Sequence, residues 1–88
     1  MRKEEMERSL KALANKRRLA ILRFIKKEKE ATVGSIAEEI HLSFKATSRH
    51  LGVLASADIL EKEQRSLRGF YRIAEDLPEP ARRILSLL

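Results

Sequence analysis

The spacing of apolar residues changes once along this chain, and that change restricts the fold more than any other feature. Up to Ala57 they recur every three or four residues. After Asp58 the period falls to two, through Ile59-Leu60-Glu61-Lys62-Glu63-Gln64-Arg65 and again through Phe70-Tyr71-Arg72-Ile73. The longer period belongs to amphipathic helices and the shorter to half-buried strands. A mostly helical chain with one late hairpin follows. Ser66-Leu67-Arg68-Gly69 reads as the hairpin turn, with Gly69 supplying the positive φ that such turns often need.

The helical part divides into four segments. Residues 3–14 carry a stripe of Met6, Leu10, Leu13 and Ala14, and Asn15 either stops that helix or caps the next. Residues 16–29 are apolar on more than one side (Leu19, Ala20, Ile21, Leu22, Phe24, Ile25), as befits a helix packed by several neighbours. Thr32 caps a short helix to about Ile40, with Val33, Ile36, Ala37 and Ile40 inward. His41 and Leu42 make a turn, and Ser43 caps a helix from about Phe44 to Ala57. Thr47, His50, Leu51 and Leu54 share one side of it; Phe44, Lys45, Ser48, Arg49 and Gly52 share the other. Beyond the hairpin, Pro78 and Pro80 open a last helix whose apolar face is Ala81, Ile84, Leu85 and Leu88.

Two short helices joined by a tight turn, followed by a two-stranded β-hairpin, spell a mainly α winged helix-turn-helix. With 88 residues it is expected to be one domain, 1–88. The outer face of the fourth helix suits double-stranded DNA. Arg49 offers a fork that reads guanine bidentately, while Lys45 and Ser48 can meet a base or a phosphate. Ser43 and Phe44 stand at the helix start, where free N–H groups attract phosphate. Arg65 and Arg68 beside Gly69 suit phosphates or a minor groove. Plainer roles compete: a solvated helix face for Lys45, Ser48 and Arg49, and edge-strand protection for the wing arginines. The protein-docking alternative uses the same fold, with the 44–52 face binding a partner chain.

Charge supports a polyanionic partner weakly. The net is +6, and residues 1–30 hold all of it, with eleven Lys or Arg against five Asp or Glu. Lys16, Arg17 and Arg18 crowd a helix start, against the dipole, which hints at an external anion. Ser48 and His50 stand two apart and do not face each other, so they form no nucleophile–base pair, and no other titratable cluster suggests an enzyme. The chain has no cysteine, no apolar run of membrane length and no signal-peptide pattern. No cofactor, no metal and no membrane contact are expected, and the cytoplasm is the expected compartment. Two extra apolar stripes are hard to cover in so small a protein. The terminal helices, 1–14 and 78–88, are therefore expected to build a homodimer through Met6, Leu10, Leu13, Ile84, Leu85 and Leu88.

The segment LKALANKRRLAILRFI resembles the opening of ArsR/SmtB-like winged-helix repressors, which run Leu-x-x-Leu and then Arg-Leu-x-Ile-Leu. Here those are Leu10, Leu13 and Arg18-Leu19-Ala20-Ile21-Leu22. IAEEIHLSFKATSRHLGVLASADILEKEQRSLRGFYRI resembles the family's helix-turn-helix and wing, above all at Ser48-Arg49-His50-Leu51 and Tyr71-Arg72-Ile73. The resemblance covers about residues 9–73. It implies a homodimeric repressor with two recognition helices on a pseudo-palindromic operator. Many members sense metals, often through two cysteines just before the third helix; this chain has Ala31-Thr32-Val33-Gly34 there. A second family site takes Asp and His from the last helix; this chain offers Glu75, Asp76 and Glu79 but no His. Asp58 replaces the Gly that commonly follows the recognition helix, at a site that favours left-handed geometry. Gly52 replaces a common Lys or Arg inside that helix.

Overall fold

The computed structural model describes residues 2–88, and three of its helices begin at short polar side chains that cap them. Helix α1 spans Lys3–Leu13 and α2 spans Lys16–Glu28. Between them Asn15 is extended, and its Oδ1 accepts from the N–H groups of Arg17 and Arg18, both at 3.0 Å. Helix α3, Val33–Ile40, starts in a capping box: Thr32 Oγ1 accepts from the Ser35 N–H, and Ser35 Oγ accepts from the Thr32 N–H. Helix α4, Phe44–Ser56, starts at Ser43, whose Oγ accepts from the Ala46 N–H at 3.1 Å. Each cap satisfies donors that a helix start leaves orphaned, worth about 1 kcal/mol. His41 closes α3 in the left-handed region at φ 56°, so α4 can turn away at once.

Two strands were expected and three are present. Strand β1 is Ala31–Thr32, β2 is Leu60–Arg65 and β3 is Arg68–Ile73, antiparallel in the order β1-β3-β2. Ala31 pairs with Tyr71 and Thr32 with Phe70. Two residues carry no readable period; they are strand because the outer edge of β3 offers unpaired N–H and C=O groups beside them. The wing turn is also tighter than expected. Arg65 pairs with Arg68, leaving only Ser66 and Leu67 to turn, and Ser66 carries the positive φ at 54°. Gly69 lies within β3. Its missing side chain makes room for Lys62, whose Cε lies 2.6 Å from where a Cβ would stand.

The core joins Ile21, Leu22 and Ile25 of α2, Ile36 of α3, Leu51 and Leu54 of α4, and Ile59, Leu60 and Tyr71 at the sheet. Each fully buried aliphatic side chain contributes roughly 1.5–3 kcal/mol. Helix α5, Glu79–Leu85, is shorter than the expected 78–88 and packs on this core through Ala81 and Leu85. Helix α1 does the same through Ala12 and Leu13. Of the residues expected at the dimer surface, Leu13 and Leu85 are buried inside the protomer. Ile84 and Leu88 are half-buried against the core, while Met6 and Leu10 are 46% and 48% exposed. Asp58 takes φ 62°, as its place after α4 suggested, and accepts from Arg8 at 3.1 Å.

Candidate nucleic-acid interface

Helix α4 has the two faces that its spacing implies. Thr47, Leu51 and Leu54 are buried; Phe44, Lys45, Ser48, Arg49 and Gly52 are exposed, Phe44 at 63%. With Ser43 capping Ala46 and the Ser43 carbonyl taking the Thr47 N–H, the N–H groups of Phe44 and Lys45 have no helical partner and point outward. Neither Lys45 nor Arg49 makes an ion pair with a carboxylate among the described residues. The face therefore presents a guanidinium, an ammonium, a hydroxyl and a helix N-terminus together, on a helix held rigidly from behind. Burial of Thr47 has a cost. Its Oγ1 has no partner among the described residues, and such a group costs about 1–3 kcal/mol.

Gly52 continues this face one turn further. A Cβ there would meet nothing within 4 Å, and its backbone is helical. Gly52→Ala is expected to stabilise the fold by about 0.5–1 kcal/mol, read as a higher urea midpoint. A lower midpoint would show that the open space is filled in solution.

His50 is half-buried behind Arg49, not fully inward. Its Nδ1 lies 3.1 Å from Arg18 Nη1, and burial pushes the imidazole below its usual range, helped by the charges of Arg18, Arg17 and Arg49. Arg18 also donates through Nε to the Ala12 carbonyl at 2.6 Å and through Nη2 to the Lys11 carbonyl at 3.1 Å. The cation that seemed misplaced at the start of α2 thus serves the C-terminal end of α1, where the dipole favours it. It is engaged within the protein, which corrects the expectation of an external anion at Arg18. No sequence rule pairs residues 18 and 50; the tight α1–α2 corner was the only available signal.

The wing divides its two arginines. Arg68 is exposed, has no carboxylate partner among the described residues and lies 5.8 Å from the Phe70 ring. Arg65 is tied down. Its Nη1 and Nη2 donate to the two oxygens of Glu30, each at 2.7 Å, and Nη2 donates to Glu63 at 3.0 Å. These hydrogen bonds hold both carboxyls below the usual carboxylate range. Leu67 at the tip, which the sequence did not single out, is 97% exposed. Among the described residues no three His, Asp or Glu side chains converge as metal ligands would, and no helix is long and apolar enough to cross a membrane.

Comparison with known proteins adds relatives to this geometry. A helix-turn-helix domain family matches residues 13–63. A homodimeric winged helix-turn-helix DNA-binding domain, Mb0332 from Mycobacterium bovis, is described as a possible ArsR-family transcriptional regulator. It is 33% identical over 96% of this chain and 74% of its own, with a TM-score of 0.81. NolR from Sinorhizobium fredii is 30% identical over 96% of this chain and 80% of its own, with a TM-score of 0.81. The transcriptional repressor PagR of Bacillus anthracis is 26% identical over 96% and 92%, with a TM-score of 0.80. Comparison with curated proteins gives no match.

Proposed function

The chain belongs to the ArsR family of winged helix-turn-helix transcriptional regulators, and from that premise we propose that it is a repressor that binds double-stranded DNA as a homodimer. Regulators of this family are not enzymes, and the work assigned here is recognition alone. The observation that carries the reading is the outer face of α4, where Lys45, Ser48 and Arg49 are exposed beside the capped N-terminus while Leu51 and Leu54 anchor the helix from behind. Ser43 and the Phe44 and Lys45 amides seat a phosphate. Ser48 and Arg49 enter the major groove, Phe44 packs against the sugar edge, and Arg68 reaches the backbone or the minor groove from the wing.

Two such helices about 34 Å apart fit successive major grooves of a pseudo-palindrome. The second copy docks on the apolar strip of α1 at Met6 and Leu10, and on Ile84 and Leu88 at the C-terminal end of the chain. The terminal helices thus serve as the dimerisation elements of one domain, 1–88. Displaced counterions make the affinity fall steeply with salt. A role on the chromosome sets the cytoplasm as its compartment.

Selection of bound sites from a random duplex pool, followed by anisotropy titration, tests this reading. Arg49→Ala is expected to lower operator affinity by about 1–3 kcal/mol and to blur the preference at one base position. An equal loss on every sequence would move Arg49 to the phosphate backbone. No binding by the wild-type protein at low salt would favour the protein-docking use of the same face.

A further inference from the structure

Glu30, Glu61, Glu63, Arg65 and Arg72 form a continuous set of ion pairs on the outward face of the sheet. Besides the Arg65 contacts, Arg72 Nη1 donates to the same Glu63 oxygen at 2.7 Å and Nη2 donates to Glu61 at 3.4 Å. The strand register explains the gathering. Glu61 faces Arg72, Glu63 faces Phe70 and Arg65 faces Arg68, so these side chains share one face, while Leu60 and Tyr71 turn to the core. Glu30 precedes β1, on the far side of β3 from β2. The Arg65 side chain therefore leans back from the wing tip and crosses the middle strand. It lies over the Phe70 ring at 4.5 Å before it meets Glu30.

Two features set Arg65 apart from a DNA contact. Three carboxylates surround the Arg65 and Arg72 guanidiniums, so the charge of Arg65 is already neutralised within the protein. Both terminal nitrogens of Arg65 are already engaged, two of the bonds bidentate to one carboxylate, which is the geometry that guanidinium holds best. Arg68 shares the last rung of the hairpin with Arg65 and has no carboxylate partner among the described residues.

We propose that Arg65 is a positioning residue: it straps the wing tip across β3 to Glu30 and so fixes where Arg68 meets the duplex, without touching DNA itself. The proposal rests on the DNA-binding reading above. An exposed pair of this kind adds little to global stability; its effect lies in holding the tip to one orientation.

The two roles of Arg65 predict opposite signs at Glu30. As a strap, Arg65 needs Glu30, and Glu30→Gln weakens operator binding. As a phosphate contact, Arg65 is masked by Glu30, and the same change tightens binding. Anisotropy titrations of the wild type, Glu30→Gln, Arg65→Gln, the double variant of these two, Arg65→Lys and Arg68→Gln on the selected duplex, over a range of salt, decide between them. Circular dichroism melts check that each variant is folded. Glu30→Gln, Arg65→Gln and Arg65→Lys are each expected to weaken binding by about three- to tenfold, with the Glu30/Arg65 double variant no worse than either single one. The salt slope stays at the wild-type value for these three and falls by about one for Arg68→Gln.

The proposal is overturned by tighter binding of Glu30→Gln, by rescue in Arg65→Lys, by a slope reduced in Arg65→Gln, or by unchanged affinity throughout. Failure of the wild-type protein to bind any duplex is a different result and removes the DNA-binding reading instead.

Discussion

Leu10→Glu is expected to give a protein that melts close to the wild type, runs as a monomer and loses about two to four orders of magnitude in operator affinity. Within one protomer the change is mild. Leu10 is half exposed on α1, along with Met6, beside Lys3, Glu7, Lys11 and Ala14. A surface substitution of this kind stays within about 0.5 kcal/mol. In the proposed dimer the same patch meets itself across a two-fold axis, so one substitution brings two carboxylates into the seam. An unpaired carboxylate taken out of water costs several kcal/mol, more than a small apolar seam returns. The DNA loss follows from the lost partner: an untethered second half-site is no longer held at high effective concentration. Light scattering on the eluted protein and anisotropy on the operator measure the two effects separately. A variant that stays dimeric would move the seam away from α1.

The same helix shows how far the sequence could be read. The stripe Met6, Leu10, Leu13 was legible as apolar, but not which of its members the chain would cover itself. Leu13 joins the core, and Met6 and Leu10 are left outside; that division depends on how α1 lies against α2, α4 and α5 together. The caps were legible because capping is local: Ser43 and Ala46, and Thr32 and Ser35, lie three residues apart. Faces were legible for the same reason, since Arg49 and Leu51 diverge on any helix. Arg18 and Arg65 were legible as charges but not in their contacts, because their partners are remote. Arg18 reaches back to the carbonyls of α1 and across to His50, and Arg65 finds Glu30 thirty-five positions away. A basic side chain in a sequence announces a charge, not whether the fold has already neutralised it. Strand β1 was missed because its two residues are strand only through the neighbour they pair with.

Leu51→Ala is expected to cost about 2–5 kcal/mol of stability while leaving DNA recognition by the folded fraction nearly intact. Leu51 is fully buried, together with Leu54, Ile21, Leu22 and Ile36. Truncation removes the apolar contact and leaves a cavity that rigid helices on several sides cannot collapse to fill. A domain of this size has about 5–15 kcal/mol to lose, so the melting temperature should fall by roughly 10–30 °C. Arg49 and Gly52 flank Leu51 in sequence yet stand on the opposite face, so the groups offered to DNA are unchanged in the folded protein. Urea titration at one fixed protomer concentration should show a lower midpoint with an unchanged slope, because a dimer's apparent stability depends on concentration. Anisotropy well below the new midpoint should return an affinity within a few-fold of the wild type. A large affinity loss under those conditions would mean that the core packing of α4, and not only its outer face, sets the angle at which the helix meets the groove.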